Sequence, residues 1–304
     1  MKVLVTGGAG FIGSHVIEKL MQEQCQVVVV DNLSSGLREN IPAGVKLIEM
    51  DICSEKLLDV FISENFDAVI HLAAQTKVPV SLERPDYDCQ INILGTVNML
   101  EACRKTEVKR VVFASTAAAY GDVNNVPIME SAETRPTSFY GLSKLTVEKY
   151  LQVYQQVYGL EYVVLRYANV YGERQGDGGE GGVVSIFVRR IGQNEVLNIY
   201  GDGGQTRDFI YAGDVAAANY QALMTPNVNA VYNVSTQTEV SVNHLIEVME
   251  QVAGKQVEKR CYPVREGDIY RSILCNQAAR EKLGWEWKVV LTDGLERTYK
   301  YITK

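Results

Sequence analysis

A chain of 304 residues with 30 Lys and Arg against 37 Asp and Glu has a formal charge of −7 at pH 7, so it repels phosphate backbones and nucleic acid is excluded as a partner. At 46% hydrophobic and 22% charged residues it has a globular makeup, with length for one large domain or two modest ones. Apolar runs such as Val27 to Val30 are far too short to cross a membrane, and Met1-Lys2-Val3-Leu4-Val5-Thr6-Gly7 lacks room for a signal-peptide core, so a cytoplasmic location is expected.

Along the first half, β-branched runs (Lys2 to Thr6, Gln26 to Asp31, Val45 to Met50, Asp67 to Ala73, Arg110 to Ser115, Glu161 to Tyr167) alternate with amphipathic segments (Gly13 to Gln22, Tyr87 to Thr106, Ser138 to Tyr158). Nearly continuous apolar strands separated by helices predict an α/β fold, a doubly wound parallel sheet of the Rossmann type. After Tyr167 the rhythm gives way to glycine-rich stretches (Gly172 to Gly182, Gly201 to Gly204) and irregular chain, where ligand-binding loops are expected. A smaller, mixed α/β C-terminal lobe is expected there. The expected division is a dinucleotide-binding part over 1–168, rejoined by parts of 205–237, and a substrate lobe over 169–304, packed around a cleft.

Gly7-Gly8-Ala9-Gly10-Phe11-Ile12-Gly13 follows a strand and opens a helix. Gly7 suits the tight turn, Gly10 lets a pyrophosphate approach the backbone, and Gly13 lets the helix pack on the strand. The second strand ends in Asp31, whose carboxylate would accept from ribose hydroxyls and repel a 2′-phosphate. Asn32-Leu33-Ser34-Ser35 offers no arginine to that phosphate, so the expected cofactor is NAD rather than NADP. Asp51 and Ile52, after the third strand, are expected beside the adenine.

Tyr140 and Lys144 form the only Tyr-x-x-x-Lys among 17 tyrosines, and the spacing puts phenol and ammonium on one helical face. A base working at neutral pH needs the phenol pKa lowered from roughly 10 to nearer 7, about 4 kcal/mol, which Lys144 and a positive nicotinamide ring would jointly supply. Thr116, at the end of the fifth strand, is placed to share a proton with Tyr140. Six scattered cysteines without a C-x-x-C pair, and three histidines none near a candidate nucleophile, argue against metal and hydrolase chemistry.

Thr6 to Ser14, His71-Leu72-Ala73-Ala74, the Tyr140/Lys144 pair and Arg166-Tyr167-Ala168-Asn169 resemble the extended short-chain dehydrogenases. Within them, Gln75 to Ser81, Asn92-Ile93-Leu94-Gly95-Thr96 and Thr206 to Ile210 resemble the UDP-glucose 4-epimerases. The resemblance implies a cofactor site that also takes in Phe11, Ile12, Asn32, Leu72, Ala73, Ala74, Lys77 and Asn92, with Tyr140 as base and Lys144 on the nicotinamide ribose. It further implies that Asn169, Val183 and Val184 touch the nucleotide, and that Tyr200 lies by the uracil. Arg207 and Arg265 would clamp the diphosphate, Asp268 would hold a ribose hydroxyl, and Ser272 would leave room at C2 of the sugar. Thr116 stands where these epimerases commonly carry serine.

The implied activity is NAD-dependent 4-epimerisation of UDP-hexoses through a transient 4-keto sugar, on the glucose/galactose pair and the corresponding N-acetylated pair. UDP-glucuronate 4-epimerisation is the near alternative. A 4,6-dehydratase is disfavoured because Ala117 and Ala118 follow Thr116 where elimination needs an acid and a base. A non-catalytic NAD-binding sensor is disfavoured by the intact Tyr140/Lys144 pair. By resemblance a homodimer is expected, through the two long helices.

Overall fold

The computed structural model describes residues 1–123, 125–176, 182–264 and 269–304. Val3, Leu4 and Val5 are wholly buried, and such a run suits only a strand covered on both faces. That strand, β1 (Lys2–Thr6), lies inside a seven-stranded sheet. On one side lie β2 (Gln26–Asp31) and β3 (Lys46–Glu49). On the other lie β4 (Ala68–His71), β5 (Arg110–Thr116) and β6 (Glu161–Tyr167). The seventh strand, Ala230–Val234, comes from far along the chain and pairs in parallel with β6. All pairings in this sheet are parallel.

The strand period of two divides β1 between two cores. Val3 and Val5 pack with Val16, Ile17 and Leu20 of α1 (Phe11–Gln22). Leu4 packs on the other face with Leu57 and Phe61 of α2 (Leu57–Glu64). Beyond α2 come α3 (Val78–Glu83), α4 (Pro85–Cys89), α5 (Thr96–Lys105) and α6 (Phe139–Tyr158). Met99 and Leu100 of α5 and Val147 and Leu151 of α6 complete that second core.

The single helix expected over Tyr87 to Thr106 is in fact α4 and α5 joined by a widened, π-helical turn at Gln90–Gly95. Asn92 is drawn inward there by hydrogen bonds to Gln75 and Ser143. Gly95 lies so close to Ile52 that a Cβ would fall 2.8 Å from its Cδ1. Neither constraint is visible in apolar spacing, which runs on through the turn.

The chain after Tyr167 is more regular than the glycine content suggested. It contains β7 (Asn169–Tyr171), α7 (Val183–Gly192), β8 (Leu197–Tyr200), β9 (Thr206–Arg207) and β10 (Phe209–Tyr211). Then come α8 (Ala212–Met224), β11 (Ala230–Val234), β12 (Val240–Ser241), α9 (Val242–Ala253), β13 (Lys259–Tyr262), β14 (Arg271–Ser272) and α10 (Leu291–Ile302). Helix α8 returns to the sheet, where Val215, Ala218 and Ala222 join the core under α1. Phe187 and Ile191 of α7, Leu245 and Met249 of α9 and Leu295 of α10 form a third core, distinct from the two on the sheet.

Candidate active site

The carboxyl ends of β1, β2, β4, β5 and β6 open onto a cleft of about 490 Å³, the place where doubly wound sheets bind ligands. Its floor is the glycine turn. Gly7 has φ +70°, and a Cβ there would fall 2.6 Å from Ala73 N. At Gly13 it would fall 2.2 Å from the Gly7 carbonyl, so α1 sits as close to the turn as a bare backbone allows. Gly10 is the N-cap of α1 with no side-chain cap and lines the cleft. The first N–H groups of α1 therefore suit an anion such as a pyrophosphate.

Asp31 ends β2 with its carboxylate held from both sides. Ala9 N–H donates to Oδ2 at 2.9 Å and Leu33 N–H to Oδ1 at 2.8 Å, while burial raises its pKa above the ordinary value. Each oxygen keeps a lone pair for a ribose hydroxyl. Asn32 Nδ2 donates to Asp51 Oδ2 at 2.8 Å, and Cys53 N–H to Asp51 Oδ1 at 2.8 Å. Burial works to raise the Asp51 pKa, but these hydrogen bonds prevail and hold it below the usual value. Phe11, Ile12, Ile52, Leu72, Ala73, Ala74 and Lys77 line the same cleft.

Helix α6 is capped by Ser138, whose Oγ accepts from Gly141 N–H at 3.1 Å, and its first turns carry Tyr140 and Lys144 to the cleft wall. The helix approaches Ala117–Ala119 so closely that a Cβ on Gly141 would fall 2.5 Å from the Ala118 carbonyl. Thr116 lines the same wall, near enough to the Tyr140 phenol to act on its ionisation. Burial pushes that phenol up to about 12, against the lowering effect of Thr116. Lys144 is 4% exposed; burial brings its pKa down to about 8, which leaves it cationic at neutral pH.

Asn92 is buried behind the cleft wall rather than in it. Its Oδ1 accepts from Gln75 N–H at 2.8 Å, and its Nδ2 donates to the Gln75 carbonyl and to Ser143 Oγ, each at 3.0 Å. Gln75 does line the cleft, with Ser34, Ser35, Gly36, Tyr87, Ser115, Tyr167 and Gln175, none of which the sequence assigned to the site. Gly36 carried the one signal, since glycine marks close approach, and a Cβ there would fall 2.8 Å from Ala9.

The described residues among those expected on the nucleotide sugar lie outside this cleft lining. Asn169 opens β7, its N–H donating to the Asp208 carbonyl at 2.9 Å. Val183 and Val184 begin α7; Val184 is 1% exposed in the third core, so its side chain is committed to packing. The Tyr200 ring lies 5.7 Å from that of Tyr262. Arg207 on β9 is the register partner of Ser272 on β14, and Arg207 Nη1 donates to the Thr206 carbonyl at 2.8 Å. Arg265 and Asp268 lie outside the described residues. No helix among the described residues is long and apolar enough to cross a membrane, and no group of three or more His, Cys, Asp or Glu among them is arranged to hold a metal.

The sequence profile of the NAD dependent epimerase/dehydratase family matches residues 3–235. Three solved structures are similar over nearly the whole chain. A UDP-glucose 4-epimerase of Thermotoga maritima with UDP-glucose is 43% identical with a TM-score of 0.96, covering 99% of this chain and 98% of its own. The UDP-glucose 4-epimerase of Thermus thermophilus in complex with NAD is 42% identical with a TM-score of 0.94, covering 99% of both chains. A UDP-N-acetylglucosamine 4-epimerase of Methanobrevibacter ruminantium, in complex with UDP-N-acetylmuramic acid, is 34% identical with a TM-score of 0.94, covering 99% of this chain and 97% of its own.

Proposed function

The chain belongs to the NAD-dependent epimerase/dehydratase family, and from that premise we propose that it inverts C4 of UDP-hexoses, interconverting UDP-glucose with UDP-galactose and UDP-GlcNAc with UDP-GalNAc. The observation that carries the reading is the juxtaposition of Thr116, Tyr140 and Lys144 on one wall of a dinucleotide cleft, with only Ala117 and Ala118 where a dehydratase needs a proton donor and acceptor.

The cofactor is NAD. The uncapped start of α1 and the bare backbone at Gly7, Gly10 and Gly13 suit its pyrophosphate, Asp31 its adenosine ribose, Asp51 and Ile52 its adenine, and Lys77 and Lys144 its nicotinamide end. Bound there, it would supply a reversible hydride acceptor for C4 of the sugar. Tyr140 takes the O4 proton as the base, and Thr116 favours its ionised form. The chain alone holds the phenol near 12, so Tyr140 acts as a base only while positive charge stands beside it, from Lys144 and the oxidised ring together. It keeps its proton once that ring is neutral.

Residues 1–168, with parts of 205–237 returning to them, form the cofactor half in this reading, and 169–304 the nucleotide-sugar half. Arg207 and Arg265 suit a diphosphate, because a guanidinium matches its paired oxygens. Asn169, Val183, Val184, Tyr200 and Asp268 are assigned to the nucleotide, and Ser272 to the sugar at C2. We assign a homodimer as well, supported by the exposed Leu142, Tyr150, Val153 and Val157 along α6 and Leu94 beside it, an apolar face that a second copy would cover. The purified protein is to be offered each of the four UDP-sugars and the products separated by chromatography. Appearance of the 4-epimer without net consumption of added NAD is expected, and its absence from all four overturns the reading.

A further inference from the structure

Asp88, on α4, is 1% exposed. Its Oδ2 accepts from Gln75 Nε2 at 2.7 Å and from Asn92 Nδ2 at 3.1 Å. Its Oδ1 is buried and meets no hydrogen-bond donor among the described residues. A half-satisfied carboxylate in a dry interior is costly unless a cation offsets it. Accepting two hydrogen bonds does not require a charge, since the amide oxygen of an asparagine does the same. The charge therefore needs its own explanation.

Two routes lead from Asp88 to the Tyr140–Lys144 turn. One is through hydrogen bonds: Asn92 Nδ2 donates to Ser143 Oγ at 3.0 Å, and Ser143 Oγ donates to the Tyr140 carbonyl at 3.0 Å. The same Asn92 side chain is tied to Gln75 in the cleft wall. The other route is electrostatic. Against the larger effect of burial, Asp88 pushes the Lys144 pKa upward, and it pushes Tyr140 upward too.

Other titratable groups face this turn. His71 on β4 is held neutral by burial, its ring between the hydroxyls of Thr6 and Thr96. Tyr167 on β6 is pushed upward by burial. Glu148, one turn further along α6, is paired with Arg166 at 2.6 Å. Of these groups and Asp88, only Asp88 brings a charge that is not already paired.

We propose that Asp88 is a positioning residue of the active site: it holds Asn92 and Gln75 so that the Tyr140–Lys144 turn of α6 is locked against the cleft wall, and it balances the buried Lys144 cation from the α4 side. The consequence for turnover rests on the epimerase reading; the consequence for the ionisation of Tyr140 does not.

The test uses the full-length protein loaded with NAD. Tyrosinate absorbance is titrated with pH and differenced against Tyr140→Phe in each background, which isolates the Tyr140 midpoint. A carboxylate nearby disfavours the phenolate, so Asp88→Asn moves that midpoint to lower pH. Both limbs of the kcat profile move the same way, because Lys144 loses its upward push as well. At the optimum, kcat stays within a few-fold of wild type with KM little changed, because the asparagine oxygen still accepts from Gln75 and Asn92; Asp88→Ala, which removes that acceptor, lowers kcat by about ten- to a hundredfold, the scale for a slightly misplaced catalytic group. Ser143→Ala cuts the hydrogen-bonded route and leaves the charge, so it lowers kcat at every pH without displacing the limbs. An unmoved Tyr140 midpoint in Asp88→Asn, or full kcat in Ser143→Ala, overturns the proposal. Should Asp88→Asn fail to accumulate as folded protein, Ser143→Ala decides. If the wild-type protein epimerises none of the UDP-hexoses, the epimerase reading falls while the Tyr140 midpoint still decides this inference.

Discussion

Lys144 Nζ donates a hydrogen bond to the Ala114 carbonyl at 3.0 Å and lies 4.9 Å from the centre of the Phe113 ring, which fixes the ammonium of α6 to the end of β5. One of its three donors is thereby committed and two remain for the cleft. A guanidinium is wider and planar, so Lys144→Arg does not reproduce this geometry at a site only 4% exposed. Lys144→Arg and Lys144→Met are each expected to lower kcat by at least about a hundredfold and to reduce the NAD that copurifies. Steady-state kinetics and cofactor extraction read the two effects separately.

Tyr140→Phe removes the proton acceptor and leaves the ring. Turnover is expected to drop by at least about a hundredfold, the scale for a lost general base, while UDP binding measured by calorimetry stays close to wild type. Thr116→Ser keeps the hydroxyl beside the phenol and should be mild. Full activity in Tyr140→Phe would remove Tyr140 from the proton transfer.

Asp31→Ala deprives two backbone N–H groups of their acceptor, those of Ala9 and Leu33, at about 1 to 3 kcal/mol for each left buried and unpaired. Weaker NAD retention and a lower melting temperature are expected together, with no gain for NADP, because no basic residue follows in Asn32-Leu33-Ser34-Ser35. Extraction that yields mainly NADP from either form would contradict the assignment.

His71 couples stability to pH. Burial first, then Lys144, lowers its pKa from 6.5 to about 3, so folding favours the neutral ring. That contribution is fully present above the unfolded value of 6.5 and is lost as pH falls toward 3, at up to about 1.4 kcal/mol per pH unit. Urea unfolding at a series of acidic pH values should show this slope, flattened in His71→Gln. An equal slope in both proteins would assign the acid sensitivity to other groups.

Ser272 is the register partner of Arg207, a residue assigned to the diphosphate. A tyrosine in its place would fill the space assigned to an N-acetyl group, at about 1 to 3 kcal/mol of overlap, or roughly five- to 150-fold in relative rate. Ser272→Tyr is expected to suppress the N-acetylated pair selectively. Equal slowing of all four sugars would show that Ser272 does not set the size limit.

Five of the six strands from Lys2 to Tyr167 were legible because strands covered on both faces leave nearly unbroken apolar runs; β3 (Lys46–Glu49) is a half-exposed edge strand, legible from its place in the alternation of strand and helix. The Gly7–Gly13 turn, Asp31 and the Tyr140/Lys144 pair were legible because their spacing is local. What escaped the sequence depends on contacts between distant segments. Gln75 reaches the cleft from a loop fixed by Asn92, and Ser34 to Gly36 from one laid against Ala9. Asp88 reads as part of a solvated helix face until the widened turn brings Asn92 and Gln75 onto it. The helices after Tyr167 were obscured by the glycines between them, although Val184, Phe187, Val188 and Ile191 already follow the helical period.

The position of β11 bears on how the protein is made. When residues 1–168 have left the ribosome, six of the seven sheet strands exist, and β6, with Val163, Val164 and Leu165 wholly buried in the finished protein, still lacks its outer neighbour. That neighbour is supplied only when Ala230–Val234 emerges and pairs with it. During this interval β6 offers an open row of backbone donors and acceptors to any other nascent strand. A fragment ending at residue 168 inherits the same open edge permanently, so it should aggregate rather than persist as a separate cofactor-binding module.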